Sequence, residues 1–228
     1  MFQDMKPTNS ILRQHAFTFM ELLMVLLLLG MLAALLALRF RFITAGAQPG
    51  SPSPNQRVQC MNHLKNIGLA FRVFAVDNAD KFPMQLPRKA GGTQEEVASG
   101  NVFPHFQAMS NELSTPKILV CPADNRAPAD SWPKLANGMV SYFVGLDADE
   151  TLPQTLLSGD RNVTLDGKEL KSGLAEWGTN ANVGWSGQLH NSAGNVALGD
   201  GSVQQLSSAR LKDHIRYTQL DKIRLAVP

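Results

Sequence analysis

The sequence predicts an α+β fold in which an N-terminal membrane helix and a linker precede a domain of one or two helices on a mostly antiparallel sheet. Three observations predict this fold. A long apolar run lies near the N-terminus, an amphipathic segment follows a break rich in Pro and Gly, and short apolar stretches separated by turn residues fill the remainder. The order of helices before strands is typical of an α+β domain.

The apolar run covers residues 17–38 and holds few side chains that are not strongly apolar. As a helix rising about 1.5 Å per residue it is roughly 33 Å long, which matches a hydrocarbon core of about 30 Å. We therefore predict a transmembrane helix within residues 17–44. Its carboxylate, Glu21, is costly in lipid, by about 2.5–3.5 kcal/mol at the membrane centre and less near the end, and indicates a role beyond anchoring.

A cleaved secretory signal and a plain membrane anchor are alternative interpretations of this run. Ala45 and Ala47 flank a glycine in the small-x-small form of a signal-peptidase site. The apolar stretch is longer than that of an ordinary signal peptide, however, and Arg39 and Arg41 separate it from the supposed cut. A plain anchor gives Glu21 no function.

The same segment resembles the N-termini of type IV prepilins and type II secretion pseudopilins. In those families a short basic leader ends in Gly, followed by Phe-Thr-Leu, a hydrophobic residue, Glu and an unbroken apolar helix. Here the segment from Phe17 to Glu21 reads Phe-Thr-Phe-Met-Glu, which places Glu21 fifth after the processing site. The departure is Ala16, which stands where these families nearly always have Gly.

The resemblance implies a leader of residues 1–16, removed by prepilin peptidase between Ala16 and Phe17, and methylation of the new N-terminus. It also implies a bacterial inner-membrane protein with a cytoplasmic N-terminus and a periplasmic domain. In these families the fifth-position glutamate, here Glu21, meets the N-terminal amine of a neighbouring subunit during assembly. The implied partners are membrane lipid, prepilin peptidase and other pilin-like subunits that bind the N-terminal helix.

Residues 45–56, AGAQPGSPSPNQ, are predicted to be a flexible linker because Pro, Gly and Ser disfavour a helix interior. Residues 57–228 are enough for one domain with its own core. The domain opens on an amphipathic helix, because apolar side chains recur at spacings of three and four at Met61, Leu64, Ile67, Phe71 and Phe74.

Later segments predict a second helical stretch at residues 102–113 and a final helix that begins at Ser207 or the residue after it. An Asp-Gly pair between apolar runs, such as Asp200-Gly201, is a strong hairpin signal. Short apolar runs predict strands at residues 118–121, 140–144, 155–157, 196–198 and 202–206.

The domain also carries a second resemblance. The sequence at residues 60–71, the CPAD segment at residues 121–124, and His190 followed after nine residues by Asp200-Gly201 are similar to prepilin-type proteins with a His-x9-Asp-Gly motif. Most members of that family lack an assigned biochemical activity. The resemblance therefore bears on location more than on mechanism.

No catalytic residues, metal ligands or cofactor are predicted. A catalytic His–Asp couple needs a nucleophile or a metal as a third partner, and none is identifiable beside His190 and Asp200. We interpret His190, Asp200 and Gly201 as structural, with His190 capping or bracing the hairpin. The acidic run at residues 147–150 lacks the spacing of an EF-hand calcium loop and is interpreted as a solvated turn.

The chain contains two cysteines, Cys60 and Cys121, and both lie in the part expected outside the cytoplasm. Thiols are oxidised there, and an even number of cysteines usually indicates pairing. We predict a Cys60–Cys121 disulfide, with two separately buried free thiols as the alternative.

The formal net charge of +2 lies entirely in residues 1–56, so the domain itself is neutral. This excludes nucleic acid as an expected partner, because phosphate binding needs clustered Lys and Arg. The sequence predicts a non-enzymatic, pseudopilin-like subunit of a type II secretion or type IV pilus-related assembly.

Two other functions stay open at this point. The first is a membrane-tethered periplasmic binding module for a glycan or another envelope ligand, with Trp132, Trp177 and Trp185 as a carbohydrate platform. The second is an envelope hydrolase that uses His190 and Asp200.

Overall fold

The computed structural model of the chain describes residues 19–44 and 53–228. Contacts within the chain divide these residues into two units, an N-terminal helix and a domain that holds everything from Ser53 onward. The predicted leader, the processing site at Ala16 and Phe17, and residues 45–52 of the predicted linker lie outside the described residues.

Helix α1 (Phe19–Thr44) forms within the predicted transmembrane segment. Its stretch Phe19–Ala37 is long and apolar enough to cross a membrane, and every side chain of that stretch is exposed. Apolar side chains on all faces distinguish α1 from a surface helix of a soluble protein, which buries one stripe only.

Helix α2 (Pro54–Asp77) begins three residues before the predicted amphipathic helix, so the predicted linker is wrong at residues 54–56. The cause is a capping box: Gln56 N donates to Ser53 Oγ at 3.3 Å, while Ser53 N donates to Gln56 Oε1 at 2.8 Å. Pro54 suits the first helical turn because the amide hydrogen it lacks would have no helical partner there.

The other helices are short, at α3 (Phe103–Gln107), α4 (Ser110–Leu113) and α5 (Ser208–Ile215). The helix predicted at residues 102–113 is therefore broken, because Met109 leaves helical geometry at φ −105° and ψ 26°. The strand predicted at residues 118–121 is wrong. Thr115 and Pro116 instead start a 3-10 helix, Pro116–Leu119, in which Lys117 N donates to Thr115 Oγ1.

Two antiparallel sheets complete the domain, and together with the helices they confirm the α+β prediction. The larger sheet has the order β5-β9-β1-β2-β7-β8 and the smaller the order β4-β3-β6. The strands are β1 (Tyr142–Gly145), β2 (Leu156–Asp160), β3 (Val163–Leu165), β4 (Lys168–Glu169), β5 (Gly173–Gly178), β6 (Val183–Trp185), β7 (Ala193–Leu198), β8 (Val203–Ser207) and β9 (Lys222–Val227).

The larger sheet has a hydrophobic core on each face, because successive side chains of a strand point in opposite directions. Along β1, Tyr142 and Val144 belong to the core that includes α2, and Phe143 belongs to the core that includes α5. The α2 side is filled by Leu64, Ile67 and Phe71, all fully buried. Each such side chain contributes about 1.5–3 kcal/mol relative to an exposed one.

His105 on α3 makes the stability of the domain depend on pH. The side chain is fully buried, its Nδ1 lies 2.6 Å from Thr93 Oγ1, and burial lowers its pKa from 6.5 to about 4. Protonation therefore favours the unfolded chain. We expect stability from this residue to be complete above pH 6.5 and to fall by about 3 kcal/mol as the pH drops to 4.

Urea unfolding followed by tryptophan fluorescence measures this loss. The control is His105→Gln, which does not titrate and should lose less stability over the same pH interval. An equal loss in both proteins would contradict the assignment.

Candidate functional site: a buried cluster of two cysteines, a histidine and an aspartate

The predicted hairpin at Asp200-Gly201 is confirmed, since it joins the paired strands β7 and β8. Gly201 adopts a positive φ of 80°, which favours glycine. Ser202 N donates to Asp200 Oδ1 at 2.8 Å, and Arg72 Nη1 donates to the Asp200 carbonyl oxygen at 2.8 Å. Asp200 therefore closes the turn and holds it against α2.

His190, by contrast, does not contact this hairpin turn. It lies between β6 and β7, fully buried, with its Nε2 3.3 Å from Asp160 Oδ2 and 3.5 Å from Cys121 Sγ. The expectation that His190 caps or braces the hairpin is corrected accordingly. The carboxylate beside His190 belongs to Asp160, which sequence reasoning did not single out.

Four separate chain segments bring this cluster together. Cys60 comes from the second turn of α2 and Cys121 from the residues after the 3-10 helix Pro116–Leu119. Asp160 ends β2, and His190 precedes β7. One donor atom from each side chain lies within 4.8 Å of all the others, and all four side chains are fully buried. We call these residues the Cys-Cys-Asp-His cluster.

Hydrogen bonds fix the orientation of the carboxylate in the cluster. Cys60 Sγ donates to Asp160 Oδ1 at 3.1 Å. Asn195 donates to Asp160 Oδ2 from its backbone N at 2.7 Å and from Nδ2 at 3.0 Å. The hydroxyl of Tyr142 lies 3.4 Å from Cys60 Sγ. Both oxygens of Asp160 are thus engaged, each on a different side.

Burial and close contacts shift the pKa values of the four cluster residues in different directions. Burial raises the pKa of the Cys60 thiol far above its ordinary value and the pKa of Asp160 to about 7. The neighbouring Cys60 side chain, with a further contribution from His190, lowers the pKa of Cys121 to about 5. For His190, burial lowers the pKa, but its contacts with Cys121 and Asp160 outweigh burial and raise it.

The two thiols are free in the structure, so the predicted Cys60–Cys121 disulfide is not formed here. Their sulfur atoms nevertheless lie within 4.8 Å of each other. A disulfide requires an S–S distance of about 2.05 Å, so a modest approach of the two sulfurs would be needed. The bridge stays a prediction for the oxidised protein.

Asp124 of the CPAD segment ties two parts of the cluster together. Its side chain is 1% exposed and accepts from Arg161 Nε at 2.8 Å and Nη2 at 3.0 Å. Ser141 Oγ donates to the same carboxylate at 2.8 Å. Since Arg161 follows Asp160 directly, this ion pair holds the loop after Cys121 against the end of β2. Burial raises the pKa of Asp124, but the bonds from Arg161 outweigh it and lower the pKa.

The acidic run at residues 147–150 lies outside the cluster. In the acidic run at residues 147–150, Asp147 pairs with Arg224 and Glu150 pairs with Arg72 at 2.9 Å. These carboxylate side chains are only 18% and 16% exposed, so the run is held by ion pairs and the interpretation as a solvated turn is wrong.

The three tryptophans do not form an open platform. Trp177 is 7% exposed and Trp185 is 5% exposed, and both belong to the core on the α5 side of the sheet. Trp132 is partly buried against the opposite core. The carbohydrate platform therefore lacks its expected exposed rings.

Comparison with known proteins adds no assignment: no protein family, curated protein or solved structure matches the chain. The described residues form an α+β domain that follows, in the sequence, a helix of membrane-spanning length.

Proposed function

We propose that this chain is a pseudopilin-like subunit of a type II secretion or type IV pilus-related assembly. The observation that carries the proposal is α1, a continuous apolar helix with exposed side chains over Phe19–Ala37 and Glu21 in its first turn. A helix that is apolar on every face is stable in lipid or against neighbouring helices, and not in water.

In this proposal the helix anchors the chain in the bacterial inner membrane, with the N-terminus in the cytoplasm and the domain in the periplasm. Prepilin peptidase removes the leader between Ala16 and Phe17. Glu21 then lies close to the new N-terminus. A carboxylate in low dielectric is stabilised only when an opposite charge compensates the lost hydration, and the N-terminal amine of a neighbouring subunit supplies that charge.

The domain supports a pilin-like arrangement because a long helix lies on one face of an antiparallel sheet. Helix α2 buries Leu64, Ile67 and Phe71 in the core that it shares with β1, β2 and β7. The role of the domain in this proposal is structural: it presents a surface outside the membrane while α1 makes the contacts between subunits.

Intact-mass measurement of the membrane-extracted full-length chain tests the proposal. We expect a mature N-terminus at Phe17 that carries one added methyl group. Ala16→Gly restores the residue that prepilin peptidase prefers, so this variant should be processed faster than the natural chain. An uncut chain, or one that begins at Gln48 after signal-peptidase cleavage, would overturn the proposal.

A further inference from the structure

We propose that the reduced domain binds one divalent metal ion, with zinc as the best match, at the Cys-Cys-Asp-His cluster. The ligands are Cys60 Sγ, Cys121 Sγ, Asp160 Oδ1 and His190 Nε2. This differs from the sequence prediction of no metal site. It is independent of the proposed assembly function.

The donor atoms lie close to the separations that a tetrahedral zinc ion requires. Bond lengths of about 2.3 Å to sulfur and about 2.0–2.2 Å to nitrogen and oxygen place the donors of a tetrahedron about 3.3–3.8 Å apart. Cys121 Sγ lies 3.5 Å from His190 Nε2, which lies 3.3 Å from Asp160 Oδ2, and Cys60 Sγ lies 3.1 Å from Asp160 Oδ1. All four donors lie within 4.8 Å of one another, so coordination requires side-chain movements of about 1 Å that bring Asp160 Oδ1 toward the ion.

The chemistry of the donors selects the ion. Thiolates and imidazole favour borderline-soft metals such as zinc, whereas calcium and magnesium require oxygen ligands. All four donors come from the protein and all four side chains are fully buried, so the coordination sphere has no open position for a substrate or a reactive water. The site has the character of a structural zinc centre.

The surroundings also suit a bound cation. Asn195 holds Asp160 Oδ2 with two hydrogen bonds, which orients the carboxylate and leaves Oδ1 toward the cysteine sulfur. The Tyr142 hydroxyl, 3.4 Å from Cys60 Sγ, is placed to donate to a thiolate. Partners that orient the ligands in this way typically change metal affinity by about 10–100-fold when they are removed.

Without an ion, the cluster is a costly way to fill a core. It places a carboxylate, an imidazole and two thiols in a region with no exposure. Metal binding converts these donors into bonds and contributes directly to folding, as in other structural zinc sites. The competing state is a Cys60–Cys121 disulfide, because the same two sulfurs cannot serve both.

Metal analysis of the full-length chain in detergent, purified anaerobically under reducing conditions, tests the site. We expect one zinc per chain by elemental mass spectrometry. Cobalt(II) in place of zinc should give strong tetrahedral ligand-field bands and a sulfur-to-cobalt charge-transfer band. These spectra are measured on the natural chain, so they do not depend on the folding of any variant.

Cys121→Ser and Asp160→Asn should each weaken zinc binding at least about tenfold. The matched control is His63→Gln, because His63 lies one turn from Cys60 on α2 and contacts the Val120 carbonyl oxygen, outside the cluster. The control should keep full zinc affinity.

Two results would overturn the proposal. The first is a reduced and folded natural chain, checked by circular dichroism, that takes up neither zinc nor cobalt, or that binds cobalt without a charge-transfer band. The second is a Cys60–Cys121 disulfide in the natural chain, found after all free thiols in intact cells have been blocked by alkylation. That result would show that the two sulfurs are not available to a metal in the cell.

Discussion

Glu21→Ala is expected to abolish incorporation of the chain into an assembly while leaving its insertion into the membrane intact. The carboxylate lies in the first turn of α1, on a helix that is otherwise apolar. Its removal relieves a desolvation cost of up to about 2.5–3.5 kcal/mol, so insertion should be unchanged or slightly better. In the proposed function this carboxylate pairs with the N-terminal amine of a neighbouring subunit.

Chemical cross-linking in native membranes measures the assembly, and carbonate extraction measures insertion. Met24→Ala is the control, because Met24 lies one turn from Glu21, is exposed on α1 and carries no charge. It should retain oligomers. Undiminished cross-linked oligomers in Glu21→Ala, or an equal loss in both variants, would argue against an electrostatic role for Glu21.

Asp124→Ala is expected to destabilise the domain by about 3 kcal/mol, the lower end of the range for breaking a buried ion pair. The substitution leaves Arg161, itself only 19% exposed, without the carboxylate that accepts two of its hydrogen bonds. It also frees the Ser141 hydroxyl. Urea unfolding of the full-length chain in detergent measures the change.

The effect of Asp124 should also depend on pH. Its pKa is depressed in the folded chain, so the stabilisation is complete above its unfolded pKa of about 3.9 and is lost as the pH falls through the lower folded value. The difference between the natural chain and Asp124→Ala should therefore shrink in acid. Asp130→Ala, at an exposed position nearby, should change stability by less than about 0.5 kcal/mol. Equal effects of the two variants would contradict the ion-pair explanation.

Local patterns in the sequence were sufficient for the elements that depend on local interactions. The spacing of Leu64, Ile67 and Phe71 predicts α2, and Asp200-Gly201 predicts the turn between β7 and β8. Ser53 and Gln56 already form a capping box in the sequence, so the true start of α2 was also predictable from it.

Two elements were missed although each has a local signal. Residues 118–121 look like a strand because they are apolar, but Thr115 and Pro116 start a 3-10 helix just before them. In β9, apolar side chains alternate with Lys222 and Arg224, which is a strand pattern. The position of β9 between β5 and β1 could not be predicted, because it depends on pairing with strands distant in the sequence.

The Cys-Cys-Asp-His cluster could not be predicted for the same reason. Its residues are distributed from position 60 to position 190, and Asp160 belongs to no short motif. The His-x9-Asp-Gly spacing suggested Asp200 as the partner of His190, although the folded chain places Asp160 there instead. Only the three-dimensional structure shows which carboxylate shares the core with the two cysteines.

The position of β9 also constrains when the domain can fold. It follows every other strand in the sequence, yet it lies inside the larger sheet between β5 and β1. A chain synthesised from its N-terminus exposes β1 and β5 with open backbone edges until residues 222–227 emerge, and such edges promote aggregation. Productive folding is therefore a late event, completed after nearly the entire domain has been synthesised.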